Sequence, residues 1–179
     1  MLPAATARLR FRELTAGDLD DVEAVLSAPD PARPQRRRRT RADAQRWIAW
    51  NLQNYATWGF GLWAIETHDG GFVGDCGLTV QDVEGEEHVE VGYHVRLELR
   101  GQGLAAEAAL AVRELARSLG MPHLVAIIRA ENRPSLRVAE KLGLRFEREI
   151  VKNGGPALVY GIDLSNAAAP GGESCCPSR

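Results

Sequence analysis

The stretch Glu90–Ala108, EVGYHVRLELRGQGLAAEA, decides how the rest of the chain is read. Its first residues alternate with period 2. Glu90 and His94 fall on one strand face, opposite Val91, Tyr93 and Val95. From Leu104 the period becomes 3.6, and Leu104, Ala108, Ala111, Leu115 and Leu119 share one helix face. Arg100, Gly101, Gln102 and Gly103 form the joint between strand and helix. Glycines let a backbone approach a ligand closely, and the free N–H groups at a helix start favour phosphate. Arg100 adds a planar cation suited to phosphate oxygens. The joint is therefore predicted to be a phosphate- or pyrophosphate-binding turn.

Gly101, Gly103 and Ala106 also satisfy G-x-G-x-x-A, the dinucleotide fingerprint. In that fold the first glycine directly follows a buried strand, whereas Arg96 to Arg100 intervene here. Residues 101–179 are also too few for a doubly wound domain, and antiparallel strands precede the loop. No Gly-Lys-Ser/Thr occurs, so a Walker loop is excluded.

Upstream, Leu9 and Phe11 alternate with Arg8, Arg10 and Arg12 as a half-buried strand. Asp18 is placed to cap a helix carrying Leu19, Val22, Val25 and Leu26. A proline-punctuated loop, 29–39, leads to Thr40 and Asp43, a capping box for a helix running to about Tyr55. Strands GLWAIET, GFVGDCGLTV and HVEVGYHV are separated by turns at 68–70 and at the acidic QDVEGEE, an antiparallel meander. Downstream, HLVAIIRA reads as a buried strand. Asn132 caps a helix with Pro134 in its first turn and Gly143 at its end, and a hairpin, RFEREIV and ALVYGIDL, closes the domain near Leu164. The predicted order is β-α-α-β-β-β-α-β-α-β-β, a mixed α/β (α+β) domain over 1–164.

The chain has 179 residues, 45% hydrophobic and 26% charged, enough for one domain with its own core. Lys+Arg total 22 and Asp+Glu 24, a net charge of −2, which argues against a dedicated nucleic-acid binder. No apolar run reaches the roughly 20 residues that span a bilayer. Arg8, Arg10 and Arg12 interrupt the N-terminus as a signal segment, so no membrane association and a cytoplasmic location are expected. Three cysteines make no disulfide framework. Cys76 reads as a small buried hydrophobe, whereas Cys175 and Cys176 lie in a tail, 165–179, expected to be disordered. No metal site is expected.

Arg-x-x-Gly-x-Ala, at Arg100, Gly103 and Ala105, resembles the signature of the GCN5-related N-acetyltransferases. EVGYHV before it, AAEA after it, ENRPSLRVAEKLGL further on and the terminal GGPALVYGI keep that family's order over roughly 7–164. The resemblance is narrower to the branch of ribosomal-protein N-terminal alanine acetyltransferases and many small-amine acetyltransferases. It implies a mostly antiparallel sheet flanked by helices. Acetyl-CoA would be the acyl donor, its pyrophosphate cradled by the backbone of Arg100, Gly101, Gln102, Gly103, Leu104 and Ala105. Two neighbouring strands would splay, and the pantetheine would use free backbone groups of Tyr93 and Val95 as an added strand, with Asn132 contacting it. A backbone N–H near Val95 would hold the oxyanion.

The same resemblance makes Glu90, in the Glu of E-x-G-Y, the first choice of base, with His94 the second because imidazole titrates near neutrality. Many members carry a tyrosine acid seven residues after the motif asparagine. That position is Ala139, which leaves Ser135 as the hydroxyl near the sulfur or as a plain helix-cap residue. The acceptor would be a primary amine on a small molecule or a peptide N-terminus, and exposed strand edges suit a homodimer. The alternative function is an acyl-CoA-binding protein without turnover. The Arg36–Arg39 run reads as a solvated loop or as an attractor of acidic acceptors, against the acidic turn Asp82–Glu87. Trp47, Trp50, Trp58 and Trp63 read as packing residues.

Overall fold

A computed structural model describes residues 1–29, 38–152 and 154–165. In chain order the elements are β1 (Leu9–Arg12), α1 (Leu19–Ser27), α2 (Arg41–Trp58), β2 (Leu62–Thr67), β3 (Phe72–Val83) and β4 (Glu86–Val95). They continue with α3 (Leu104–Ser118), β5 (His123–Ile128), α4 (Arg133–Lys141), β6 (Arg145–Lys152) and β7 (Gly155–Asp163). The order is the expected one. Seven strands form a single sheet, β1-β2-β3-β4-β5-β7-β6, in which only β4 and β5 run parallel. Helix α3, with Leu104, Ala108 and Val112, packs with α4 against Cys76, Leu78, Val91 and Val95 on one face. On the other face, α1 and α2 bury Val22, Leu26, Ala44 and Ile48 against Leu14 and Ala64.

Three local details differ from the sequence reading. The acidic turn shrinks to two residues, Glu84 (φ 57°) and Gly85 (φ 91°), the positive pair of a tight hairpin, so β3 and β4 extend to Val83 and from Glu86. Helix α2 runs on to Trp58 and stops at Gly59, left-handed at φ 76°. Asp18 does not cap α1: its carboxylate accepts from the backbone N–H of Thr15 and from both terminal nitrogens of Arg12. Those partners hold Asp18 below the usual carboxylate range against the opposing effect of its burial. The Thr40–Asp43 capping box forms as expected, and Asn132 caps α4 through the Ser135 N–H. Residues 166–179, with Cys175 and Cys176, lie outside the described residues, as do Arg36 and Arg37.

Candidate active site

The sheet is opened between β4 and β5. These parallel neighbours register at one pair only, Glu90 with Val125. Antiparallel pairing with β3 along β4, from Val83–Glu86 to Gly74–Val95, uses alternate backbone groups. The Arg96 N–H bonds the Val73 carbonyl, so the pairing alternation turns the groups of Tyr93 and Val95 toward the opening. An extended ligand can add there as a strand. Two side chains stake the opening. The Glu90 carboxylate crosses it to accept the Ile127 N–H at 3.2 Å. On the α3/α4 face, Tyr93 donates its hydroxyl to the Ser135 carbonyl at 2.9 Å, tying β4 to the first turn of α4. Burial pushes the Tyr93 phenol up, which keeps it a donor.

At the end of β4 the chain makes a short 3-10 turn, Leu97–Leu99, and then the glycine loop. Gly101 (φ 79°) and Gly103 (φ 82°) are both left-handed, a conformation that Cβ-bearing residues adopt at a cost of roughly 1–2 kcal/mol. The space beside Gly101 is open to 4 Å, so a bulky anion can approach the N-terminus of α3. Arg100 turns its Nε to the Val95 carbonyl at 3.0 Å, closing the end of β4. A second cation, absent from the sequence reading, stands over the loop. Arg8 donates through one terminal nitrogen to the Gln102 carbonyl at 3.0 Å, and through Nε and the other to Glu107. Glu107, in the first turn of α3, also accepts from the Arg8 N–H and the Thr6 hydroxyl. Leu104 is buried and Ala105 partly so, at the start of that helix.

On the opposite sheet face Glu90, Gly92 and His94 form a strip that keeps contact with solvent. Leu62 lies over Gly92, where a Cβ would meet it at 3.1 Å. Four residues of strand put the Cα atoms of Glu90 and His94 about 13 Å apart. Burial is the largest influence on Glu90 and pushes its carboxyl up, against nearby Lys152, the Ile127 N–H, His94 and Thr79. His94 is bound through Nδ1 to Asp75 at 2.8 Å, and Asp75 accepts the Trp47 indole N–H at 3.0 Å through its other oxygen. Beyond Glu90, the β6–β7 hairpin folds over the strip: Lys152 bonds Gln81, and Arg148 meets His88.

A model of the acetyltransferase (GNAT) domain matches residues 8–145. The chain belongs to this family. The uncharacterized protein YkkB of Bacillus subtilis is 31% identical over 160 residues, 87% of this chain and 92% of that one. Among solved structures, yncA of Salmonella typhimurium, a putative acetyltransferase with its cofactor acetyl-CoA, superposes with a TM-score of 0.66 at 21% identity, covering 93% of this chain and 99% of that one. RimL, a ribosomal L7/L12 α-N-protein acetyltransferase in complex with coenzyme A, superposes with a TM-score of 0.73 at 16% identity, covering 93% of this chain and all of that one. Both share the GNAT fold.

In this GNAT domain the residues singled out in the sequence divide between two faces of one opening. Tyr93, Val95, Asn132 and Ser135 stand with the glycine loop on the α3/α4 side, Glu90 and His94 on the α1/α2 side. Asp75, Trp47 and Arg8 are functional candidates the sequence reading passed over. Asp75 had a signal, as the one charged residue in the apolar run 72–80. The tryptophans divide: Trp63 is fully buried, Trp50 sets its ring against Trp47 with centroids 5.3 Å apart at the surface, and Trp58 is exposed. Trp47 is pinned in place because buried Asn51, one turn on, accepts the Leu62 N–H and donates to the Trp47 carbonyl. Of the arginine run, Arg39 lies over the Trp47 ring, 5.5 Å from its centroid. Cys76 is buried and its thiol pushed well up, as fits a packing residue. No group of three or more His, Cys, Asp or Glu able to hold a metal occurs among the described residues, and no helix there is long and apolar enough to cross a membrane.

Proposed function

We propose that the protein is an acetyl-CoA-dependent N-acetyltransferase acting on a primary amine of a small molecule or a peptide N-terminus. The observation that carries this reading is the opening between β4 and β5, flanked at one end by two left-handed glycines at a helix start. Acetyl-CoA would lay its pyrophosphate on the backbone of Arg100 to Ala105, with Arg8 and Arg100 as nearby cations. Its pantetheine would pair with Tyr93 and Val95, beside Asn132. The amine would arrive from the strip that holds Glu90 and His94, so donor and acceptor meet through the opening from opposite sides. Attack by the amine nitrogen on the thioester carbon forms the C–N bond. Collapse of the intermediate breaks the C–S bond and releases the coenzyme A thiolate, which takes up the second excess proton of the amine nitrogen, with Ser135 as the candidate hydroxyl to relay it.

Glu90 and His94 are the two candidate proton acceptors, and positioned bases contribute about 10²–10⁴-fold. The test is release of free coenzyme A from acetyl-CoA across a panel of small amines and short peptides. Amine-dependent release is expected. Tight acetyl-CoA binding without release from any amine would instead identify a non-catalytic acyl-CoA-binding protein.

A further inference from the structure

We infer that His94, held by Asp75 and Trp47, takes the proton from the acceptor amine, with Asp75 acting as its positioning residue; this rests on the acetyltransferase reading. Asp75 is 2% exposed in the middle strands of the sheet. A buried carboxylate is costly unless its oxygens are bonded, and replacing it by an apolar residue would suit the fold at least as well. Both oxygens are engaged, and both partners belong to one array: Oδ1 to His94 Nδ1 and Oδ2 to the Trp47 indole. The indole edge of that array is further fixed by the T-shaped contact of Trp47 with the His94 ring, centroids 5.3 Å apart.

An ionised carboxylate accepts only, so the neutral ring must carry its proton on Nδ1 and leave the Nε2 lone pair free. The His94 side chain is 42% exposed, and no described residue bonds Nε2. The lone pair is therefore open to solvent on the side from which the amine would come. Glu90, by contrast, gives one carboxylate oxygen to the Ile127 N–H inside the opening. The charged groups around His94 are Asp75 from β3, Glu90 from β4 and, across Trp47, Arg39 ahead of α2.

The proton and electron balance closes. The ammonium gives one proton to Nε2, and the freed lone pair forms the C–N bond while the carbonyl π pair moves to oxygen. That pair returns as the C–S bond breaks, the second excess N–H proton passes to the thiolate, and the imidazolium returns its proton to water.

The experiment combines two readouts on the full chain. Long-range ¹H–¹⁵N spectra report which ring nitrogen carries the proton, and coenzyme A release with the best amine of the panel reports kcat and KM. Wild type should show the Nδ1–H tautomer at His94. In Asp75→Asn the amide N–H₂ can face Nδ1 and force the proton to Nε2, with kcat falling about 10²-fold or more and the KM for acetyl-CoA unchanged. His94→Gln should fall by a similar factor while retaining acetyl-CoA affinity, and Trp47→Phe should fall less. A wild-type Nε2–H tautomer overturns the assignment, as does a wild-type kcat in folded His94→Gln. Wild type that turns over no amine overturns the acetyltransferase reading itself, and the base with it.

Discussion

Glu90 sits deep enough that ionising it works against folding, and the sign of its pH dependence follows. Its folded value lies above the ordinary 4.5, so between the two the folded chain keeps a proton that the unfolded chain has lost. The stability it contributes is present below 4.5 and is lost as pH rises through the folded value. Glutamine keeps an oxygen for the Ile127 N–H but cannot ionise. Glu90→Gln is therefore expected to melt higher relative to wild type at neutral pH than at acid pH, read as the difference in Tm across a pH series. A difference that does not change with pH would contradict the burial of this carboxyl. Arg8 makes a separate prediction. Its ion pair with Glu107 is half exposed, so its loss should cost at most about 1 kcal/mol of stability. Because Arg8 also holds the Gln102 carbonyl over the glycine loop, Arg8→Ala should weaken acetyl-CoA binding by about tenfold, the worth of one charge-assisted hydrogen bond. Titration calorimetry measures this, and an unchanged Kd would make Arg8 a purely structural clamp.

The β4–α3 joint shows how far an element can be read before folding. Its alternation, glycines and helical stripe were all visible, because each is a local property of neighbouring residues. What could not be read was the register of β3 against β4. A seven-residue acidic turn leaves that register open, and a slip of one residue would move Asp75 to the opposite face from His94. The two-residue turn at Glu84 and Gly85 fixes Val83 opposite Glu86 and so Asp75 opposite His94. A glutamate at φ 57° has no signature in sequence, since the usual residues there are Asn, Asp and Gly. Arg8 was hidden for a similar reason: it bonds Glu107, nearly a hundred residues away, and reads locally as a solvent-facing strand residue. At the element itself, Gly103→Val forces a β-branched residue into φ 82° and places its side chain at the head of α3. It is expected to lower stability by roughly 1–2 kcal/mol and to abolish measurable acetyl-CoA binding. Retained affinity in the folded variant would remove the loop from the cofactor site.

Across the whole molecule, one irregularity divides the sheet into two halves. Strands β1 to β4 form one antiparallel half, β5 to β7 the other, and the halves meet at the single Glu90–Val125 pair. Helices α3 and α4 flank the proposed donor side, and α2 with the β6–β7 hairpin borders the proposed acceptor side. The loop and the order of elements along the chain were legible because both follow from local patterning. The parting of β4 from β5 entered only through resemblance, since it is a relation between strands distant in sequence. That parting is also the claim on which the function rests, and acetyl-CoA binding tests it most directly. A ligand at one hundred times its Kd stabilises a protein by about 2.7 kcal/mol, which for a domain of this size raises Tm by roughly 5–11 °C. The structure predicts such a rise with acetyl-CoA and none with NAD. A melting temperature unmoved by acetyl-CoA, or raised by NAD instead, would contradict it.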